Sequence, residues 1–148
     1  MNGLGELYQQ LIIDHNRHPR NFGPLEDATQ EATGDNPLCG DRITLRVRLA
    51  NDVIEDIRFE GSGCAISTAS ASLMTESLKG KTREEALKLL ERFHGLLTTD
   101  TPVTQELGKL VVFCGVRDYP ARVKCATLAW HTLKSALDGA PEEPVSTE

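Results

Sequence analysis

The chain has 148 residues, four cysteines and a formal net charge of −6, which suits one domain with a substantial hydrophobic core. The acidic balance argues against a general nucleic-acid-binding protein, because such proteins carry an excess of lysine and arginine. No apolar run approaches the ~18–20 residues that cross a bilayer, and the opening segment lacks the basic and apolar regions of a secretory signal, so we expect a cytoplasmic protein without nucleic-acid or membrane partners.

The first half of the chain predicts one helix followed by a small sheet. Apolar residues recur at three- and four-residue intervals over residues 4–15, which is typical of an amphipathic helix. Apolar and polar residues alternate over residues 43–49, and Asn51-Asp52 provides a turn into a returning strand over residues 53–59. Residues 28–33 supply a third strand.

The second half of the chain predicts helices. Small residues lead into a helix over residues 65–78, and Thr82 and Glu85 form a reciprocal capping box for the next one. Residues 95–102 read as a linker, and a last helix spans residues 119–137. Strands followed by helices indicate an α+β domain, which we expect over residues 1–138. The acidic, proline-rich residues 139–148 are typical of a disordered tail.

Three cysteines lie in settings that favour a metal over a disulfide. Cys39 lies in a loop-like run with Asp41 two residues further on, Cys64 follows a glycine-rich turn, and Cys125 follows a proline-containing segment. In a reducing compartment, spaced cysteines are more often metal-binding or catalytic than bridged. Thiolates and carboxylates are zinc ligands, and we expect the helix starts predicted at Cys64 and Cys125 to favour thiolate. Cys114, within an apolar run, is interpreted as a packing residue.

The spacing alone leaves a shared metal site and separate buried cysteines about equally favoured, because the chain has no Cys-x-x-Cys knuckle. His15 and His18 invite a ligand interpretation, although helix capping or partner contact is favoured for both. His94 and His131 are predicted to be ordinary surface residues. The cations adjacent to the cysteines in sequence would offset the negative charge of such a site, and they are Arg42, Arg122 and Lys124.

Four segments resemble the IscU/NifU-like family of iron–sulfur assembly proteins. They are residues 8–23 (YQQLIIDHNRHPRNFG), 35–41 (DNPLCGD), 61–72 (GSGCAISTASAS) and 120–130 (PARVKCATLAW), and the resemblance spans residues 5–137. IscU-type members carry a histidine immediately before the third cysteine, where this chain has Lys124. The longer charged segment before that cysteine, near residues 81–97, is also similar to the SufU-type branch.

This resemblance implies an IscU/SufE-like α+β fold, in which a three-stranded antiparallel sheet packs with about five helices. It implies a zinc site of Cys39, Asp41, Cys64 and Cys125, with Arg122 and Lys124 as neighbouring cations. The SufU-type interpretation is a sulfurtransferase in which Cys39 accepts persulfide sulfur from a SufS-type cysteine desulfurase, working with other iron–sulfur assembly proteins. The alternative is a non-enzymatic scaffold, on which an iron–sulfur cluster is assembled and from which it is transferred.

Overall fold

The structure is a computed structural model that describes residues 3–37, 39–98, 107–138 and 145–146, and it confirms the α+β fold. Among the described residues, three antiparallel strands, extended at one edge by a two-residue parallel strand, pack against four α-helices and one 3₁₀ helix. In chain order the elements are α1 (Gly3–Arg17), β1 (Gln30–Asn36), β2 (Asp41–Ala50), β3 (Val53–Ser62), α2 (Ala65–Leu78), α3 (Arg83–Thr98), the 3₁₀ helix (Gly108–Asp118), α4 (Pro120–Leu137) and β4 (Val145–Ser146).

The strands of the sheet lie in the order β3-β2-β1-β4. The β1–β2 and β2–β3 hairpins are antiparallel, and β2 follows the predicted alternation of apolar and polar residues. Ile43, Leu45 and Val47 of β2 all face the core, while the intervening residues point outward. The β2–β3 turn places Asn51 and Asp52 at φ +52° and +65°, a left-handed conformation that asparagine and aspartate tolerate better than most residues. The predicted turn is therefore confirmed.

Strand β1 begins and ends later than the predicted residues 28–33. Its ladder with β2 continues to the pair Asn36 and Asp41, so the strand extends three residues beyond Thr33. The β1–β2 loop is short as a result, and it holds only residues 37–40 between the two strands.

The capping box of α3 is confirmed, but its end is not where the sequence predicts it. The Thr82 backbone N–H donates to Glu85 Oε1 at 2.9 Å, and the Glu85 N–H donates to Thr82 Oγ1 at 3.1 Å. The hydrogen bond from the Thr82 backbone lowers the pKa of Glu85 below its ordinary value. The predicted linker from Gly95 is wrong at its start, because Leu96 and Leu97 are buried and the helix continues to Thr98.

Helix α4 lies at the centre of the molecule and positions one of the cysteines. Its Trp130 stacks on Phe93 of α3 with ring centroids 4.7 Å apart, and Phe93 meets Phe113 edge-on. On the sheet side, a Cβ on Gly34 of β1 would collide with the Thr132 hydroxyl, so the glycine permits close approach of α4 and β1. This approach brings the N-terminal half of α4 against the end of the β1–β2 hairpin.

The C-terminal tail is described only at residues 145–146, which form the short strand β4, parallel to Gly34 and Asp35 of β1. The other residues of the predicted disordered tail lie outside the described part of the chain. Within the described ranges, no helix combines the length and the apolar character needed to cross a membrane.

Candidate metal centre

Cys39, Asp41 and Cys125 converge at the end of the β1–β2 hairpin. One potential ligand atom from each lies within 4.8 Å of those of the other two. Within the residues that the structure describes, no other group of three histidine, cysteine or acidic side chains meets this distance. Cys39 is exposed, whereas Asp41 is fully buried and Cys125 is 3% exposed. We call these three residues the cysteine–aspartate centre.

The hairpin loop presents Cys39 to solvent. Asn36 and Asp41 face each other across the strand pair and close the loop. The Cys39 backbone N–H donates to the Asn36 carbonyl at 3.2 Å, and Gly40 at φ +72° supplies the left-handed conformation that returns the chain into β2. Cys39 therefore lies on a short turn whose two ends are fixed in the sheet.

The Asp41 carboxylate is held by the start of α2 through one of its two oxygens. Its Oδ1 accepts the Cys64 backbone N–H at 2.8 Å. A Cβ on Gly63 would lie 2.6 Å from that oxygen, so a glycine is required for the carboxylate to approach the backbone. Asp41 Oδ2 is buried and has no hydrogen-bond partner among the described residues. One carboxylate oxygen is thus fixed by a hydrogen bond, while the other is buried without a partner.

Cys64 borders the centre as the N-cap of α2. It is half-buried, and its Sγ accepts the Ser67 backbone N–H at 3.4 Å. Its sulfur is not within 4.8 Å of all three members of the cysteine–aspartate centre. The structure therefore brings three of the four predicted ligands together and places the fourth at their edge, one backbone hydrogen bond from Asp41.

Cys125 does not lie at a helix N-terminus, as the sequence predicted. Pro120 begins α4, so Cys125 falls in the second turn. Burial raises the pKa of the Cys125 thiol above its ordinary value, and the neighbouring Asp41 carboxylate and Cys39 sulfur raise it further. In the metal-free protein this thiol is protonated at neutral pH, and the expectation that the helix start favours its thiolate is wrong.

The predicted neighbouring cations are dispersed. Arg42 is exposed on the outer face of the sheet, because strand alternation turns it away from Asp41. The Arg122 guanidinium lies over the ring of Tyr119, 4.9 Å from its centroid, and its side chain is exposed. Lys124 directly precedes Cys125 and is half-buried. Their role in offsetting the charge of the centre stays a prediction.

The histidines do not join the cysteine–aspartate centre. His15 is fully buried, with Nδ1 2.7 Å from Ser72 Oγ, so the expectation of capping or partner contact is wrong for this residue. His18 is exposed, and its backbone N–H closes the last turn of α1 on Asp14. His94 is exposed and its ring meets that of half-buried His131 edge-on at 5.9 Å. Cys114 packs against the core, as predicted.

Sequence reasoning missed Asn36. This residue is fully buried, and its Nδ2 lies 3.9 Å from Cys125 Sγ, 89 positions away in sequence. Its pairing opposite Asp41 could have indicated a place at the site, but that pairing is apparent only once the length of the β1–β2 loop is known.

The fold and the centre define a small α+β protein that gathers thiol and carboxylate side chains around one end of its sheet. A family profile described as the NifU-like N-terminal domain matches residues 7–138, and the chain belongs to this family. An iron–sulfur cluster assembly scaffold protein IscU of Streptococcus pyogenes serotype M1 is 43% identical over 138 residues, covering 93% of this chain and 86% of the relative.

Two further similarities extend over most of the chain. A zinc-dependent sulfurtransferase SufU of Bacillus subtilis is 44% identical over 135 residues, covering 90% of this chain and 91% of the relative. A crystal structure from Fervidobacterium islandicum AW-1, named as an iron–sulfur cluster assembly scaffold protein for the SUF system, is 38% identical. It superposes with a TM-score of 0.84 over 89% of this chain and 97% of that one.

Proposed function

We propose that this protein is a zinc-dependent sulfurtransferase of iron–sulfur cluster assembly, which accepts persulfide sulfur from a SufS-type, pyridoxal-phosphate-dependent cysteine desulfurase. The observation that carries the proposal is the convergence of an exposed cysteine with a buried cysteine and a buried aspartate. The similar Bacillus subtilis protein is named a zinc-dependent sulfurtransferase, which supports the same function.

The donor set suits zinc. Zinc in proteins binds thiolates and carboxylates in four-coordinate sites, with Zn–S distances of about 2.3 Å. Sulfurs on such a tetrahedral ion lie about 3.8 Å apart, so ligand atoms within 4.8 Å of one another require only a small contraction. The unpartnered, buried Asp41 Oδ2 is a polar atom that a cation would satisfy. We propose Cys39, Asp41, Cys64 and Cys125 as the ligands.

Cys39 is the proposed sulfur acceptor because it is the exposed member of the centre. Bound zinc would keep its sulfur deprotonated without oxidising it. The Cys39 thiolate attacks the terminal sulfur of the donor's persulfide, the donor S–S bond breaks, and the donor cysteine leaves as a thiolate. Cys39 then carries the persulfide, and no net oxidant or reductant is consumed. The free state of all four cysteines fits a reducing cytoplasm, where other assembly proteins would receive the sulfur.

The test is alanine formation by a cysteine desulfurase, measured with and without this protein. We expect zinc-loaded protein to stimulate turnover and the Cys39→Ser variant to abolish the stimulation while remaining folded. Cys114→Ser is the matched control, because Cys114 packs against the core and is not one of the residues that converge at the centre, and we expect it to stimulate normally. Full stimulation by Cys39→Ser would refute the acceptor role.

A second candidate is a scaffold that binds a labile iron–sulfur cluster and transfers it to other proteins. The relatives from Streptococcus pyogenes and Fervidobacterium islandicum, named as scaffolds at comparable identity, favour it. Three thiolates also suit a cluster. Metal analysis of protein purified without added iron separates the two: zinc at about one equivalent supports the sulfurtransferase, whereas a brown protein containing iron and sulfide supports the scaffold.

A further inference from the structure

We infer that Asn36 is a positioning residue of the metal centre, which holds the Cys125 sulfur through its side-chain amide and the Cys39 turn through its backbone. This inference rests on the proposed zinc site. It adds a residue outside the ligand set whose contacts reach both of the cysteines that converge on Asp41.

Asn36 contacts the centre from three directions. Its side-chain Nδ2 donates to Cys125 Sγ at 3.9 Å, a distance within the longer range of sulfur acceptors. Its carbonyl accepts the Cys39 N–H at 3.2 Å, and its backbone pairs across the hairpin with Asp41. A residue at 0% exposure with these contacts links the exposed and the buried cysteine through the end of one strand.

The chemistry of the side chain suits a metal-bound sulfur. A coordinated cysteine is a thiolate and therefore only accepts hydrogen bonds, so the NH₂ group of the amide faces it. Three thiolates and one carboxylate leave a charge of about −2 with zinc bound. An amide donor stabilises that excess without adding a charge or competing as an anionic ligand. Hydrogen bonds of this kind around a metal site fix its ligands and tune its affinity.

Of the three cations adjacent to the cysteines in sequence, Lys124 is half-buried beside Cys125 and the other two are turned away from the centre. Arg42 points to the outer face of the sheet, and Arg122 is exposed against Tyr119. The side-chain amide of Asn36, by contrast, is buried with its Nδ2 next to the Cys125 sulfur. Its Oδ1 is buried with no partner among the described residues, which costs folding free energy. The hydrogen bond that Nδ2 donates to the Cys125 sulfur explains why a buried amide lies here despite that cost.

The experiment compares metal binding by wild-type protein, Asn36→Leu and Asn36→Ala. Leucine keeps the approximate shape of the side chain and removes the donor, and alanine removes both. We expect folded variants whose zinc affinity, measured by chelator competition, falls about tenfold to a hundredfold. With cobalt as the probe, we expect the sulfur-to-cobalt charge-transfer band to move to longer wavelength, because an unbonded thiolate gives up an electron more easily.

Thr132→Val is the matched control for the same contact between α4 and β1. Thr132 is fully buried and donates to the Leu128 carbonyl at 2.8 Å, so its loss perturbs the interface without touching the sulfurs. We expect its zinc affinity and cobalt spectrum to match those of the wild type. A purely structural role of Asn36 would change stability and leave the cobalt band in place.

The hydrogen bond from Asn36 to the sulfur can also be observed directly in the wild-type protein. With ¹¹³Cd bound, an N–H···S hydrogen bond from Asn36 predicts a downfield-shifted side-chain amide proton that is coupled to the cadmium nucleus. An ordinary amide shift with no coupling would refute the role of Asn36, as would unchanged affinity and cobalt spectrum in a folded Asn36→Leu. Wild-type protein with no sulfur-to-cobalt band would instead refute the zinc centre itself, and the inference with it.

Discussion

Two of the polar clusters in the described part of the chain differ in the number and type of groups that they gather. The cysteine–aspartate centre combines two sulfurs and a carboxylate, and its Cys39 is exposed to solvent. The second cluster lies between α1 and α2, where His15 Nδ1 meets Ser72 Oγ at 2.7 Å and the Arg20 backbone N–H donates to the same hydroxyl at 2.8 Å. We call this second cluster the His15 joint.

Both clusters contain a buried polar atom without a partner among the described residues, Asp41 Oδ2 in the first and His15 Nε2 in the second. In the His15 joint a single imidazole hydrogen-bonds through Nδ1 to Ser72 and so ties α1 to α2. In the cysteine–aspartate centre several ligand atoms converge, and one of them is accessible. An unpartnered atom therefore marks a metal site only where other ligands of suitable chemistry meet it.

The largest expected difference between the two clusters is stabilisation by zinc. Zinc at about a thousand times its dissociation constant stabilises the folded state by about 4 kcal/mol. We expect this gain in wild-type protein and its loss in Cys125→Ser, which removes the buried sulfur. Ser72→Ala, which removes the hydroxyl of the His15 joint, is expected to retain the gain although its metal-free stability is lower. Urea unfolding with zinc and with chelator measures both, and equal zinc gains in Cys125→Ser and Ser72→Ala would break the distinction.

The next effect is a loss of stability at high pH in the metal-free protein. Burial raises the pKa of Cys125, so above the ordinary thiol pKa of about 8.5 the unfolded chain releases a proton that the folded protein keeps. The stability contributed by this thiol is full below that pH and falls by about 1.4 kcal/mol per pH unit above it. We expect Cys125→Ala to flatten the fall between pH 8.5 and 10 in urea unfolding. The same slope in wild type and variant would show that another group causes it.

Local signals in the sequence predicted most of the fold. The alternation of β2, the Asn51-Asp52 turn and the Thr82–Glu85 capping box each act over a few residues, and each is confirmed. The fully buried His15 was not predicted, because its partner Ser72 lies 57 positions away. The end of α3 was missed because burial of Leu96 and Leu97 outweighs the low helix propensity of Gly95.

For the candidate site, the residue types were predictable and the close approaches were not. Cys39, Asp41 and Cys125 were expected from spacing and resemblance, and the structure brings them together. The amide of Asn36 near Cys125 depends on how closely α4 meets β1, which no short sequence pattern records. The need for glycine at position 63 was equally unpredictable, because it arises from the close approach of the Asp41 carboxylate of β2, 22 positions earlier in the chain.

Gly63→Ala tests that approach with a smaller change than removal of a ligand. The new Cβ would lie 2.6 Å from Asp41 Oδ1 and displace the carboxylate from the Cys64 N–H. We expect zinc affinity to fall about tenfold, as typical for disturbed groups around a metal site. Gly95→Ala in α3 is the control, because an added Cβ there meets nothing within 4 Å. It should raise stability by about 0.5–1 kcal/mol without changing zinc affinity, and wild-type affinity in Gly63→Ala would refute the constraint.

The smallest expected effect is a loss of stability at low pH caused by His15, opposite in direction to the high-pH loss caused by Cys125. Burial lowers the pKa of His15, and the nearby Arg20 lowers it further, whereas Glu76 and Asp14 act in the opposite sense. Below the ordinary histidine pKa of about 6.5, the unfolded chain therefore binds a proton that the folded protein excludes. The stability from this group is full above that pH and is lost as pH falls towards the lowered pKa.

Replacing the ring separates its titration from its packing. We expect His15→Gln to lose less stability than wild-type protein between pH 7.5 and 5.5, while Ser72→Ala, which keeps the imidazole, remains acid-sensitive. Urea unfolding of chelator-treated protein at the two pH values measures this, since no zinc then masks the difference. Equal acid sensitivity in His15→Gln and wild type would assign the loss to other groups and would leave His15 a packing residue without a role in the pH response.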